Sequence, residues 1–167
     1  IGIVHFGPGA FHRAHQAVYL DDLLGQEPDW AICAVSLHNP GVRDALQPQD
    51  GLYTVALLGE RPVLRVIGSI REVLCAPQQR RAVMARLVDP QVRLVTLTIT
   101  EKGYCLSPDG VDASHPDISR DLVSPEQPIS AIGWLVAGLR ERRARKLAPY
   151  TVLSCDNLAD NGGRLRR

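Results

Sequence analysis

The chain has 167 residues, 45% of them hydrophobic and 22% charged, the ordinary balance of a globular domain long enough to close one core. Nineteen basic residues against 18 acidic ones leave a formal charge of +1, which gives no sign of a nucleic-acid or membrane-surface partner. No apolar run approaches the roughly 20 residues of a membrane span, and the composition fits neither a disordered chain nor a disulfide scaffold.

Ile1–Phe6 is a compact apolar run into Gly7-Pro8-Gly9, which predicts a strand ending in a tight turn. Phe11–Leu24 then places Phe11, Ala14, Val18, Leu20, Leu23 and Leu24 near one stripe and predicts an amphipathic helix. Trp30–Leu37 reads as a second buried strand, closed by Asn39-Pro40-Gly41, with a short helix over Val42–Leu46. Leu52–Leu58 and Val63–Ile70 flank Gly59-Glu60-Arg61-Pro62 and predict a hairpin with a charged tip. Pro77–Val88 predicts an amphipathic helix, and Val92–Ile99 is the strongest strand of the chain.

Residues 106–128 lack periodicity and read as a long excursion with at most a short helix. Ser130–Lys146 predicts a helix with Ile132, Leu135, Val136 and Leu139 inward and a basic last turn that suits its dipole. Tyr150–Cys155 is a final buried strand, after which a new helix starts. Buried runs alternating with helices argue for an α/β, Rossmann-type fold: a largely parallel sheet, helices on both faces and an inserted β-hairpin. Cys33, Cys75, Cys105 and Cys155 are scattered with no CxxC pair, which suits reduced, structural thiols and a cytoplasmic location.

The chemistry starts at Phe6–His15, FGPGAFHRAH. Gly7 and Gly9 give G-x-G between a strand and a helix, the first for the sharp turn and the second for close backbone approach to a pyrophosphate. His12 stands where the usual fingerprint has its third glycine. Arg13 either contacts phosphates or is simply solvated. His12 and His15 share a helix face, but no Cys, Asp or Glu cluster accompanies them, so no metal is expected. The second strand ends Ser36-Leu37-His38-Asn39, without the carboxylate that commonly holds the adenosine ribose of NAD. His38 and Asn39 are candidates for that ribose, and His38 also tolerates a 2′-phosphate. Two further strand ends carry polar clusters: Thr98 to Tyr104, with Thr98, Thr100 and Glu101, and Ser154 to Asn157. There Asn157 either donates its amide to a substrate oxygen or caps a turn.

The strings GPGAFHRAHQAVYLDDLL, DWAICAVSL, RDALQPQDGLYT, LTITEKGYC and TVLSCDNLADNG, in this order, closely resemble the polyol-specific long-chain dehydrogenases. That family includes mannitol 2-dehydrogenase and fructuronate reductase. The resemblance implies hydride exchange between NAD(P) and a keto sugar or keto sugar acid paired with its polyol or aldonate, without a metal. It implies a cofactor loop that falls on Gly7, Gly9, Phe11, His12 and Arg13, and the strand ends and turn add Phe6, Pro8, Ala10, His38, Asn39, Thr98 and Thr100 as candidate cofactor contacts. It carries the oxygen-stabilising asparagine onto Asn157 and places Glu101 near the substrate. NAD or NADP is expected, with NAD favoured. The phrases SLHNPGVRDALQPQDGLYT and EKGYC lean toward the fructuronate reductase branch.

In the family the general base is a lysine of a separate, mostly helical C-terminal domain. This chain has only Lys102 and Lys146, neither in that motif. Residues 1–167 are therefore expected to be the dinucleotide-binding domain, cut before the catalytic domain, inactive alone and partnered by that domain and a small sugar substrate. The alternative is a stand-alone nucleotide-binding or regulatory module without catalysis.

Overall fold

A computed structural model describes residues 1–166. The first half comprises β1 (Ile3–Phe6), α1 (Ala10–Ala14), α2 (Gln16–Leu23), β2 (Ile32–Ser36), α3 (Gly41–Leu46), β3 (Tyr53–Leu57), β4 (Val63–Ile67) and β5 (Ile70–Cys75). The second comprises α4 (Arg80–Leu87), β6 (Leu94–Leu97), α5 (Thr100–Gly103), β7 (Leu106–Ser107), β8 (Gly110–Val111), α6 (Pro116–Val123), α7 (Ala131–Ala144), β9 (Thr151–Ser154) and α8 (Asn161–Arg166).

Five parallel strands form the central sheet in the order β5-β2-β1-β6-β9. The chain moves outward from β1 through β2 to β5, then returns to the other side of β1 as β6. The carboxyl ends of β1 and β6 therefore bound a topological switch point, where open α/β sheets hold ligands. Both faces of the sheet are buried, which is why its central strands read as unbroken apolar runs. On one face Val4, Phe6, Val35, Val95 and Leu97 pack with Val83 and Leu87 of α4 and Trp134 and Leu135 of α7. On the other, Ile3, Ile32, Ala34 and Ile70 pack with Ala17 of α2, Leu46 of α3 and Ile67 of β4. Cys33 and Cys75 lie in the central strands as small buried groups, and burial pushes the Cys33 thiol well up.

The inserted hairpin of β3 and β4 is antiparallel, as its sequence predicts. Arg65 ties it to α2 through Asp21 at 2.9 Å and Asp22 at 2.5 Å. The run read as one strand over Val63–Ile70 is two. Gly68 donates its N–H to Asp21, and the Ser69 hydroxyl donates to the Ala17 carbonyl. These bonds turn the chain off the hairpin and into β5, a strand of the main sheet that periodicity did not separate.

Four other expectations need correction. The helix over Phe11–Leu24 is broken at His15 (φ −123°, ψ −91°), so its buried residues are His12 and Ala17, while Phe11 and Leu23 face solvent. Residues 106–128 contain a small β7–β8 hairpin and the two-turn α6, capped by His115 and started by Pro116. The buried Asp121 carboxylate then accepts from the Ile129 and Ser130 N–H groups, fixing the entry to α7. In α7 the inward set is Ala131, Trp134, Leu135, Ala137, Gly138 and Arg142, and Val136 is exposed. Arg142 turns inward instead of decorating the helix end: its guanidinium donates to the carbonyls of Leu87, Asp89 and Ala148. Finally, β9 is an edge strand and only half buried. Among the described residues no helix is long and apolar enough to cross a membrane.

Candidate functional site

Gly7 makes the turn at the end of β1 possible. Its φ is +89°, and a Cβ there would stand 2.2 Å from the Thr98 carbonyl oxygen of the neighbouring strand. Only glycine meets both demands. Gly9 differs: its backbone is extended (φ −69°, ψ −179°), and a Cβ would meet nothing closer than the Gly7 oxygen at 3.9 Å. The space beside Gly9 is open, and no side chain caps the first turn of α1.

Under this turn lies a buried pair of imidazoles. His5 and His12 stack with ring centroids 3.4 Å apart and planes 10° apart. Nδ1 of His5 is 2.7 Å from the Thr96 hydroxyl and Nε2 is 2.9 Å from the Thr98 hydroxyl, which donates on to the Gly7 carbonyl at 2.7 Å. With Thr98 donating to Gly7, His5 donates from Nε2 to Thr98, while the Thr96 hydroxyl lies between His5 Nδ1 and Gln16 Oε1, 3.2 Å away. Burial, then the charge of Arg13, depresses the His12 pKa to about 3, and burial also holds His5 well below its ordinary value. Both rings are neutral at pH 7.

Of the residues expected at the cofactor, two are therefore inside the protein and a third has its hydroxyl committed elsewhere. Phe6 is a core residue, His12 fills the strand–helix space beneath the turn, and the Thr98 hydroxyl is spent bracing Gly7. Arg13 is likewise turned back, donating from Nη1 to the Pro8 carbonyl at 2.6 Å, so it stiffens the loop from within. Tyr53 of the inserted hairpin donates its hydroxyl to the Arg13 carbonyl at 2.7 Å, and burial raises its pKa to about 12. Ala10 and Phe11 are exposed on α1, with Phe11 stacked on His15.

The open space is a cleft of about 300 Å³ at the switch point, lined by the Gly7-Pro8-Gly9 turn, Ser36 to Asn39 beyond β2, Val42, Thr98 to Thr100, and Gly103. It thus gathers seven of the expected cofactor contacts: Gly7, Pro8, Gly9, His38, Asn39, Thr98 and Thr100. A second lobe of about 320 Å³ continues from His38, Ile99 and Thr100 toward Lys102, Cys105, His115, Asp117 and Ser130. The first lobe has no carboxylate in its lining, which suits an anionic occupant. Among the described residues no group of three metal-ligating side chains comes together.

Glu101 and Asn157 sit at the rim beyond this lining. Glu101 is exposed and pairs with Arg164 of α8 at 2.9 Å, and Asn157 is exposed just past β9. Sequence reasoning passed over their neighbours. Asp156 accepts from the N–H groups of Ile99 (3.1 Å) and Thr100 (2.9 Å) and from the Tyr104 hydroxyl (2.8 Å). Asn161 donates to the Asp156 carbonyl and leaves its own Oδ1 buried without a partner. The repeated D-N in SCDNLADNG was the available signal, but nothing in one string shows which carboxylate reaches across to a neighbouring strand.

A five-stranded parallel sheet with a glycine turn and a carboxylate-free cleft at its switch point defines a Rossmann-type domain. The family profile of the mannitol dehydrogenase Rossmann domain matches residues 1–167, and the chain belongs to that family. It is 48% identical over 166 residues to the uncharacterized oxidoreductase YeiQ of Escherichia coli K12, covering 96% of this chain and 34% of that protein. It is 45% identical over 169 residues to a mannitol 2-dehydrogenase of Cereibacter sphaeroides, covering 96% and 35% respectively. Among solved structures, the ternary complex of Pseudomonas fluorescens mannitol 2-dehydrogenase with NAD and D-mannitol superposes with a TM-score of 0.94 at 44% identity, over 99% of this chain and 35% of that one. A substrate-free D-sorbitol dehydrogenase matches at TM-score 0.94 and 38% identity, over 99% of this chain and 36% of its own. The chain spans about a third of the length of these relatives.

Proposed function

We propose that this chain is the nicotinamide-cofactor-binding domain of an oxidoreductase that interconverts a keto sugar or keto sugar acid and its polyol or aldonate. The observation that carries the proposal is the open backbone at Gly9 facing a carboxylate-free cleft at the β1–β6 switch point. Gly7 to Gly9 take the pyrophosphate along the backbone, His38 and Asn39 take the adenosine ribose, and Thr100 takes the far side of the cleft. Arg13, His12 and the Thr98 hydroxyl hold the loop from behind. NAD is the favoured form of the cofactor, in line with the ligand of the solved mannitol 2-dehydrogenase. When bound, the nicotinamide supplies the hydride acceptor or donor.

Asn157 is proposed to stabilise the substrate oxygen as its charge changes, with Glu101 beside it, held by Arg164. A mostly helical catalytic domain with a base lysine is proposed to complete the site, since the relatives are about three times longer. Fructuronate with mannonate is the proposed substrate pair ahead of fructose with mannitol, from the resemblance of the EKGYC and LQPQDGLYT strings. Calorimetric titration of the chain with NADH and NADPH tests the core of this reading. Saturable one-to-one binding, tighter for NADH, is expected, and no binding of either overturns it.

A further inference from the structure

Building on that cofactor reading, we propose that Asp156 is a positioning residue that sets the nicotinamide side of the cleft from the neighbouring strand. The register of β6 and β9 pairs Leu97 with Ser154, so Ile99 and Asp156 both lie two residues beyond this pair. The carboxylate spans that gap. Oδ1 accepts from the Thr100 N–H, while Oδ2 accepts from the Ile99 N–H and the Tyr104 hydroxyl. Three of its roughly four acceptor positions are thus occupied by donors from one loop, so Asp156 is a strut and not a proton carrier.

The loop needs a strut. Thr100 has φ +64°, in the left-handed region that a β-branched residue rarely enters. Ile99, just before it, lies between two glycines. A Cβ on Gly7 would stand 3.4 Å from the Ile99 side chain, and one on Gly103 would stand 2.8 Å from it. Ile99 therefore wedges the pyrophosphate turn against α5, and Ile99 and Thr100 line both lobes of the cleft. The same Asp156 accepts at its main-chain oxygen from Asn161, so the substrate-side segment and the cofactor floor are fastened at one residue. β6 lies on the opposite side of β1 from β2, where His38 and Asn39 face the adenosine half. Loosening the loop is therefore felt by the nicotinamide half of the ligand.

Asp156→Asn places an amide donor where an acceptor is required and removes at least one of these bonds. The test compares the unaltered chain and Asp156→Asn in titrations with NADH, followed by nicotinamide fluorescence and calorimetry, and with ADP, which lacks the nicotinamide riboside. The expected result is a tenfold or greater loss of NADH affinity and a smaller change in nicotinamide fluorescence on binding, with ADP affinity held within twofold. Should Asp156→Asn not fold, Asp156→Glu keeps the charge, moves the carboxylate by one methylene and carries the same comparison. Equal losses for NADH and ADP reduce Asp156 to a structural role and overturn the proposal, as does no loss for either. If the unaltered chain binds neither ligand, the cofactor reading itself fails, and this inference fails with it.

Discussion

The rings of His5 and His12 lie stacked and fully buried beneath the glycine turn, 3.4 Å between centroids. In the usual fingerprint a third glycine brings helix and strand together by having no side chain. Here a flat imidazole occupies that position and packs face to face on a second imidazole from the strand. The second ring then reaches Thr98 and, through it, the carbonyl of Gly7. Strand, helix and glycine turn are joined by one polar core that works only while both rings stay neutral.

That core makes the fold acid-sensitive. His12 has a pKa of about 3 in the folded chain against about 6.5 when unfolded, and His5 is shifted the same way. Below pH 6.5 the unfolded chain takes up protons that the folded chain refuses, so stability is complete above that pH and falls as pH drops toward 3. The His12 ring costs about 2 kcal/mol between pH 7 and pH 5, and His5 adds a loss of the same sign. Urea unfolding at the two pH values measures the loss, and His12→Gln is expected to remove a large part of the difference. An unchanged pH dependence in that variant would show that carboxylates elsewhere cause it.

Gly7 and Gly9 separate folding from binding. Gly7→Ala drives a Cβ into the Thr98 carbonyl at a backbone angle alanine resists, and is expected to cost at least about 3 kcal/mol. Gly9→Ala meets only the Gly7 oxygen, at an ordinary contact of 3.9 Å, so its unfolding midpoint should match that of the unaltered chain. Its methyl group projects into the ligand space instead, and NADH affinity is expected to fall at least tenfold. Urea melts and NADH titrations of the two variants check the contrast.

The parallel sheet and its first turn were legible because each strand is a short apolar run and G-x-G has one mechanical use. The β4–β5 break was not, because it depends on Asp21 and Ala17 accepting from Gly68 and Ser69 some 50 residues away. For the same reason the helix face through Phe11 and Leu23 was misread: His12, polar by composition, is the buried residue. In the site, the string FHRAH pointed to this loop but not to its sides. A sequence names Arg13 and His12, while only packing shows that both point behind the turn.

Arg142 offers a test away from the cleft. Its side chain is almost fully buried, stacks near Tyr150 and donates to three main-chain carbonyls at the ends of α4 and α7. Arg142→Met keeps the stem but leaves the Leu87 and Ala148 carbonyls without the guanidinium, while Asp89 keeps its bond from the Val92 N–H, at an expected cost of about 2–4 kcal/mol. Arg142→Lys should recover little, because one ammonium cannot reproduce the planar fork. NADH affinity at a temperature where both variants are folded should be unchanged. Chemical denaturation and titration together check this, and a selective loss of affinity would place Arg142 in the binding machinery.

The final prediction concerns turnover. Moving a hydride from an alcohol carbon requires the hydroxyl proton to leave with it, and a positioned base typically contributes 100- to 10,000-fold. Neither lysine is held in place by a partner side chain: Lys102 is exposed on α5 at the edge of the second lobe, and Lys146 is exposed beyond the end of α7. Asp156 already accepts from three donors, and Glu101 is held by Arg164. The 167-residue chain is therefore expected to bind NADH yet to oxidise mannitol or mannonate no faster than a protein-free blank. Absorbance of NADH at saturating polyol and NAD measures it directly. A rate comparable with that of an intact mannitol 2-dehydrogenase would show that the base lies among these residues after all, with Glu101 the first residue to replace.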